Sequence, residues 1–307
     1  MRSIIVKKAQ KMDLINYLMN SFKSLNKSSI YKALRNKDIR INGNKINKNI
    51  ILNPLDQLDI YITDNILFNL PKKIDVIYED ENILVVYKPQ GILSNNEEGF
   101  SSTEVDEPTF DDLVKRTYTN AIICHRLDRN TAGLLIFAKN ANSYNELSKA
   151  FKEGNINKNY IAYVSGTNFS KEYEKLEKYI LKDEKTSYCK IFDKNIKGSK
   201  KIVTEYSLIY KNTKKDYSLL KVTIHTGKTH QIRAQLKDIG HPIIGDQKYG
   251  KININKKFKI YKQLLFATCY KFNFDKNSML YYLNNITIQL DKEYYNNKLG
   301  SDIFDKE

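Results

Sequence analysis

The chain has 307 residues, 41% of them apolar, and its 51 lysines and arginines against 35 aspartates and glutamates give a net charge of +16. This length suits one large domain with a smaller one attached, and the absence of any run of about 18 apolar residues excludes a transmembrane helix. The three cysteines are scattered and form no Cys-x-x-Cys pair, which argues against a disulfide framework or a zinc site and fits a reducing cytoplasm.

The excess of positive charge predicts a polyanionic partner, because basic side chains that neutralise phosphates release counterions. A second explanation stays open, since the chain is rich in Lys, Asn, Ile and Tyr, which an AT-rich genome encodes without any functional demand. Only seven of the 51 basic residues are arginines. Because the planar guanidinium makes contacts that an ammonium cannot, we expect some of these seven to have specific roles.

Residues 1–63 are predicted to form a separate small domain. The apolar positions between Leu14 and Phe22 follow helical spacing, and Ser28 or Ser29 is placed to cap a second helix. An Asn-Gly pair then suits a tight hairpin, and residues 56–62 alternate as a closing strand does. This segment holds 12 basic and four acidic residues, so half of the net charge lies in about a fifth of the chain.

The order helix, helix, hairpin, with a hydrophobic-Asn-Gly turn at Ile41-Asn42-Gly43, resembles the S-four-like RNA-binding domain. The resemblance implies that residues 1–63 bind RNA, and we expect Arg35, Arg40 and Lys45 to contact it. The alternative for these residues is a basic face that is merely solvated.

Residues 64–73 are predicted to be a linker, and residues 74–307 a second domain of mixed α and β structure. The unbroken apolar runs 121–123 and 134–138 predict central strands that are covered on both faces. Residues 95–107 are acidic and rich in turn formers, and we expect an exposed loop there. The other predicted elements are strands over 83–87, 159–164 and 219–225, and helices over 110–118, 144–151 (ended by Gly154) and 232–239 (ended by Gly240).

Between the two apolar runs lies a polar connection that contains His125, Arg126, Asp128 and Arg129. Charged side chains between buried strands are costly unless they are paired or used, so a salt-bridged loop and a catalytic loop are both open. The whole string CHRLDRNTAGLLIFAK, residues 124–139, closely resembles the active-site motif of the RluA-like family of RNA pseudouridine synthases. Its one small departure is Ala132, where that family more often has Ser.

The resemblance continues along nearly the whole chain. It includes the stretch 78–91 with Lys88-Pro89-x-Gly91, the motif Lys158-x-Tyr160-x-Ala162, the run TGKTHQIR at 226–233, and residues 240–250. Lys228 stands where the family usually has Arg, and it keeps the charge. The resemblance implies an α+β fold, in which a mostly antiparallel mixed sheet with flanking helices is preceded by the small N-terminal αβ domain.

The reaction of the family that the chain resembles requires a reactive group that the sequence can supply. Isomerising uridine breaks the bond between the anomeric carbon and nitrogen 1, rotates the uracil and rejoins it through carbon 5. A carboxylate can attack the ring or the sugar, or can stabilise or deprotonate the sugar. We expect Asp128 to be this carboxylate and, by similarity, Arg233 to supply the nearby cation and Tyr160 to lie against the uracil. No electrons or phosphoryl groups move, so we expect no cofactor and no metal.

A uridine in folded RNA must be flipped out before it can react. We expect His125, Arg126, Arg129 and Lys228 to contact the RNA around it; for the two arginines, ion pairing within the loop is the alternative. We also expect His230 to cap or pack. The expected partner is structured RNA, preferably large-subunit ribosomal RNA, with transfer RNA open, and the protein is expected to be a cytoplasmic monomer that binds no membrane.

Two other classes of protein are alternatives to a pseudouridine synthase. One is a non-catalytic RNA-binding protein that assists ribosome assembly, against which the joint presence of Asp128, Tyr160 and Arg233 argues. The other is a nucleoside or glycosyl hydrolase. Such enzymes generally need a second carboxylate, and the sequence shows none near these motifs.

Overall fold

The computed structural model describes residues 1–7, 12–22, 24–96 and 106–294. The chain divides into two compact units, one comprising Met1–Ile74 with Asn95–Leu113 and the other comprising Asp75–Ser94 with Val114–Glu307. Most of the expected acidic loop 95–107 lies outside the described residues. Asp106 is described, and its carbonyl accepts a hydrogen bond from Arg2, within the first unit.

The first unit is built on a four-stranded antiparallel sheet with the strand order β1-β4-β2-β3. Its elements are β1 (Arg2–Ile5), α1 (Leu14–Ser21), α2 (Lys27–Asn36), β2 (Ile39–Ile41), β3 (Asn44–Lys45), β4 (Gln57–Ile60) and α3 (Asp64–Leu67). The strand β1, which is only four residues long, was not predicted from the sequence. The predicted start of the linker was wrong, because α3 occupies that segment and Leu67 is fully buried in the core of this unit.

Local side-chain contacts explain the helix starts and the hairpin. The cap of α2 is Asn26, and the prediction of Ser28 or Ser29 was wrong. Asn26 accepts from the backbone N–H of Ser29, and the Ser29 hydroxyl accepts from the backbone N–H of Asn26, which together form a capping box. The predicted turn is confirmed, since Asn42 and Gly43 have φ angles of 49° and 81°, as a tight hairpin turn requires.

The second unit contains one large sheet and its flanking helices. Its first elements are β5 (Asp75–Glu79), β6 (Ile83–Lys88), α4 (Phe110–Lys115, which begins in the other unit), β7 (Ile122–Ile123), β8 (Ala132–Ala138), α5 (Ala141–Glu153) and β9 (Ile156–Ser165). There follow β10 (Tyr173–Lys182), β11 (Cys189–Phe192), β12 (Lys200–Asn212), β13 (Tyr217–Ile224), α6 (Gln231–Asp238), α7 (Ile252–Phe258), β14 (Leu265–Phe272), a 3-10 helix (Tyr281–Asn285) and β15 (Thr287–Gln289).

The strand order in this sheet is β11-β10-β12-β13-β9-β14-β8-β6-β5, with β15 beside β14 and β7 beside β8. The pair β14–β8 is parallel and the others are antiparallel, so the expected α+β fold with a mostly antiparallel mixed sheet is confirmed. Within the described ranges no helix is both long and apolar enough to cross a membrane.

The burial of the strands in this sheet confirms some of the predicted strands and contradicts others. Every residue of β6 and β8 is buried, which confirms the prediction for residues 134–138. The run 121–123 forms only the two-residue β7 at one end of β8, so it is not a central strand, and that prediction was wrong. The long strands β10 and β12 have few buried residues and carry exposed charged ones, and neither was predicted from the sequence.

Gly133 allows β8 to approach β14 closely. It has a φ of 121°, and a Cβ atom at this position would overlap the backbone carbonyl of Ala267, its partner in the parallel pair. Any larger residue at this position would therefore push β8 and β14 apart.

We predict that Gly133→Ala lowers the free energy of unfolding by roughly 4 kcal/mol, because positive-φ strain adds to an unavoidable overlap. Gly240→Ala is the matched control, since Gly240 has a φ of 88° but no atom within 4 Å of the added Cβ. The control is expected to cost only about 1–2 kcal/mol. Equal losses of stability for the two variants in denaturant or calorimetric unfolding would contradict the close approach of the strands as the cause.

Candidate active site

A pocket of about 500 Å³ lies in the second unit. Its walls come mainly from three segments: the connection between β7 and β8, the first half of β9, and the chain from the end of β13 into α6. Asp128, Tyr160 and Arg233 all line it, so the three residues predicted to carry the chemistry come together from segments far apart in the sequence.

The loop that carries Asp128 is fixed by a buried lysine. Lys88 has no exposed surface, and its ammonium donates to the backbone carbonyls of Pro89, Asp128, Arg129 and Thr131 at 3.1–3.3 Å. Burial lowers the pKa of Lys88 to about 7, although the charge of Asp128 opposes that shift. From the sequence Lys88 was the end of a strand and part of a family motif, and this role was missed.

Arg233 joins two carboxylates. Its Nη1 donates to Oδ2 of Asp128 at 3.0 Å, while Nε and Nη2 donate to the two oxygens of Asp246 at 2.7 and 3.0 Å. Asp246 also accepts from the backbone N–H groups of Lys248 and Tyr249 at 2.8 and 3.0 Å. The plane of the guanidinium is thus set by Asp246, and one remaining N–H donor is directed at Asp128.

Arg233 and Asp246 stabilise each other's charged forms. Burial alone would lower the pKa of Arg233, but its hydrogen bonds to Asp246 and the charges of Asp246 and Asp128 outweigh burial and raise it. Burial would raise the pKa of Asp246, but Arg233 and the two backbone donors lower it overall. Both groups therefore stay charged over the ordinary pH range.

Asp246 corrects the expectation that no second acid lies near the motifs. Asp246 lies in the stretch 240–250, which already carried part of the family resemblance. Its distance from Arg233 along the sequence did not show that the two side chains would be in contact. The side chain of Asp246 is fully enclosed and does not line the pocket, whereas that of Asp128 is 24% exposed. Of the two carboxylates that Arg233 binds, only Asp128 can touch a substrate.

Tyr160 lies in the middle of β9, paired with Val222 on one side and Ala267 on the other. It is buried but contributes to the pocket wall. Burial, with a smaller effect from the charge of Asp128, raises the pKa of Tyr160, so its phenol is neutral. A neutral aromatic ring fixed in a central strand is a rigid surface for a flat base.

Two histidines in the pocket wall are neutral. The Nε2 atom of His125 accepts from the backbone N–H of Ile136, and its ring packs against Phe151 and Tyr270. Burial lowers the pKa of His125 to about 3, so the ring has no charge to offer RNA, and its expected RNA contact stays a prediction. His230 precedes α6 and bonds the hydroxyl of Tyr249 through Nδ1, as expected of a packing residue; burial lowers its pKa to about 4.

The basic residues predicted to bind RNA near the site have different surroundings. Arg126 and Lys228 are exposed and line the pocket. Arg129 does not line it; its guanidinium donates to the carbonyl of Gly91 at 3.1 Å, and its own carbonyl accepts from the N–H of that glycine. Lys158, which the sequence showed only as part of a motif, also lines the pocket.

In the first unit, Arg35 is exposed in the last turn of α2. Arg40 and Lys45 lie directly opposite each other on β2 and β3, which concentrates positive charge at the hairpin. The guanidinium of Arg40 lies 4.7 Å from the centre of the Tyr61 ring, so this arginine is partly held by an aromatic neighbour. No three metal-ligating side chains come together in the part of the chain that the structure describes.

Residues 82–238 match the family described as RNA pseudouridylate synthase. An uncharacterized RNA pseudouridine synthase of Mycoplasma capricolum is 32% identical and covers 93% of this chain and 95% of its own. A ribosomal large subunit pseudouridine synthase C of Buchnera aphidicola is 31% identical and covers 87% of this chain and 88% of its own. The solved structure named human RNA Pseudouridylate Synthase Domain Containing 1 has a TM-score of 0.55 at 19% identity, covering 77% of this chain and 98% of that one.

The structural likeness concerns the fold alone, but the two sequence findings go further. The family match extends over slightly more than half of the chain, and the similarity to the Mycoplasma protein extends over nearly all of it. The chain belongs to the RNA pseudouridylate synthase family and is an isomerase that acts on RNA.

Proposed function

We propose that Asp128 is the catalytic carboxylate with which this pocket converts uridine to pseudouridine, and that the reaction needs no cofactor. The observation that carries the proposal is the arrangement of Asp128. Its carboxylate reaches the pocket surface while Arg233, itself fixed by Asp246, holds it at 3.0 Å. A carboxylate that is both accessible and held in one orientation suits attack on a bound nucleoside or stabilisation of its sugar.

Tyr160 would lie against the uracil in this pocket. Stacking of a base on an aromatic side chain contributes roughly 1–3 kcal/mol, which offsets part of the cost of flipping a uridine out of folded RNA. We also propose that the phenol of Tyr160, which burial and the charge of Asp128 keep protonated by raising its pKa, aids a late proton transfer. The alternative of a hydrolase with two carboxylates is disfavoured, because Asp246 is enclosed and bound on all sides.

We propose large-subunit ribosomal RNA as the substrate class. The support is the name of the Buchnera relative, which refers to that RNA, together with the net charge of +16 on this chain. Transfer RNA is the second candidate. We further propose that residues 1–63 form an S-four-like domain that binds the RNA through Arg35, Arg40 and Lys45, and that residues 74–307 carry the catalysis. A cytoplasmic monomer stays our prediction for the protein as a whole.

We predict that Asp128→Asn lowers the rate of tritium release from RNA labelled at carbon 5 of uridine by roughly a thousandfold or more, because the amide cannot replace a reacting carboxylate. RNA affinity should change little. Glu184→Gln, which alters a largely exposed carboxylate outside the pocket wall, is a control for general handling of the protein. Near-normal turnover by the Asp128 variant would refute the assignment.

Asp246→Asn is expected to lower kcat by roughly 10²-fold with little change in KM, since the amide replaces one of the two charged contacts that orient Arg233. Arg233→Lys is expected to lower kcat to a similar extent, because a single ammonium cannot bind both carboxylates in the plane of a fork. A thermal unfolding curve checks that each variant is folded. A variant that is folded but raises only KM would contradict the positioning role.

We predict that the double variant Arg35→Gln, Lys45→Gln weakens binding to structured RNA and reduces the slope of log K against log salt by about 1–2, which is about one unit for each phosphate that is no longer neutralised. The charge-preserving pair Arg35→Lys, Lys45→Arg is the matched control and should keep the slope. If the neutral variant binds RNA with an unchanged slope, the first unit does not have the role proposed for it.

A further inference from the structure

Lys158 is a buried cation without an anionic partner. It is 8% exposed, and among the described residues no carboxylate or other hydrogen-bond acceptor contacts its ammonium. The ring of Phe151 lies beside it, with its centre 5.7 Å from Nζ. A charge enclosed to this extent is costly unless something compensates it, and Lys158 lines the pocket from which a ligand would approach.

A second cation lies near the first. The charge of Lys228 adds to burial in lowering the pKa of Lys158, and both residues contribute to the pocket wall. The Lys228 side chain also lacks a partner among the described residues, although its backbone is held firmly. Two such cations repel each other, so an anion that contacts both would relieve a cost already present in the free protein.

The turn that carries Lys228 lies close to the Lys158 ammonium. A Cβ atom built on Gly227, the residue before Lys228, would lie 3.7 Å from Nζ of Lys158, which is van der Waals contact. The turn is rigid because the side-chain oxygen of Gln231 accepts from the hydroxyl of Thr226 and from the backbone N–H of Lys228. Its amide nitrogen donates to β12, at the backbone carbonyl of residue 203 and the hydroxyl of residue 204. The backbone position of Lys228 therefore depends on a buried, hydrogen-bonded support.

The position of Lys158 relative to Tyr160 indicates which kind of anion would bind between the two lysines. Lys158 and Tyr160 are two residues apart on β9, so their side chains leave the same face from backbone positions about 7 Å apart. The proposed function sets the uracil against Tyr160. The bases and sugars of RNA are uncharged, and its anions are the phosphodiesters. A group that attracts anions, two strand positions from the residue proposed to contact the flipped base, is thus placed for the backbone of the same nucleotide.

We propose that Lys158 and Lys228 form an anion subsite that binds the phosphodiester flanking the flipped uridine. This inference rests on the proposed function, since it assumes that the pocket receives a nucleotide of RNA. It assigns to Lys158 a ligand contact, and it explains why the pocket keeps a buried ammonium free of carboxylates.

The test measures coupling between the lysine and single phosphates. The probes are three RNA oligonucleotides around a mapped target uridine: one unmodified, one with a neutral methylphosphonate on its 5′ side, and one with a methylphosphonate on its 3′ side. Affinities are measured with full-length protein carrying Asp128→Asn, alone and combined with Lys158→Met. Binding is thus read without turnover, and the test of the subsite is separate from the test of the catalytic carboxylate.

Lys158→Met should weaken binding of the unmodified RNA by about 10- to 100-fold, the usual effect of removing a charged hydrogen bond. It should cause no further weakening with one of the two methylphosphonate RNAs, because that RNA has no charge at the phosphate in question. The same fold-change with all three RNAs, or no change with any, would overturn the proposal. Lys228→Met, at an exposed position, repeats the test with little risk to folding.

Thermal unfolding separates a ligand-binding lysine from a structural one. Removing an uncompensated buried charge should leave the melting temperature unchanged or raise it, and Lys158→Arg should keep most of the RNA affinity. A marked drop in melting temperature with Lys158→Met, together with equal fold-changes for the three RNAs, would assign Lys158 to the folded core and refute the subsite.

Discussion

The guanidinium of Arg233 holds the site together, because it binds both of the acids in it. Three of its N–H donors are shared between Asp246 and Asp128, and the division is unequal. The enclosed Asp246 takes two and is itself fixed by backbone donors, so it acts as an anchor. The third reaches Asp128, which is the one of the two acids that faces the pocket. A fixed cation beside an accessible carboxylate balances its charge and keeps it from rotating freely.

The backbone of the loop that carries Asp128 is held by a different kind of contact. Lys88 binds four carbonyls around the loop, and Gly133 lets the strand after the loop approach its parallel neighbour. Lys88 thus fixes the main chain at Asp128, and Arg233 fixes its side chain. The pocket combines this rigid acid with a neutral aromatic ring at Tyr160 and with basic side chains at its margin. That combination fits a substrate with an uncharged flat base on a charged backbone.

The residues proposed to react were easier to predict from the sequence than the residues that support them. Asp128, Tyr160 and Arg233 lie in short local strings, and a family resemblance detects such strings directly. Lys88 also lies in such a string, but its supporting role could not be recognised, because three of its partners are backbone carbonyls some 40 residues away and no side-chain type marks a carbonyl as a ligand. Asp246 was visible as a residue, but its pairing with Arg233 depends on how α6 and the following turn pack.

The same distinction holds for the fold. Fully apolar strands such as β8 and glycine-ended helices such as α5 were predicted, since burial and turn geometry restrict the residue types there. The strands β10 and β12 were not, because their exposed faces are charged and their buried positions are few. The cap of α2 was misplaced by two or three residues because Asn26 and Ser29 form hydrogen bonds to each other's backbone N–H, and a single-residue rule does not detect a reciprocal pair.

The central claim is that the protein isomerises uridines through Asp128, and a transcript-wide pseudouridine map tests it most directly. The map would compare cells with the gene intact, cells without it, and cells in which the only copy carries Asp128→Asn at matched protein level. We predict that the same set of sites, in large-subunit ribosomal RNA, loses pseudouridine in the deletion strain and in the Asp128→Asn strain. Sites that persist in the Asp128→Asn strain but vanish in the deletion would contradict it.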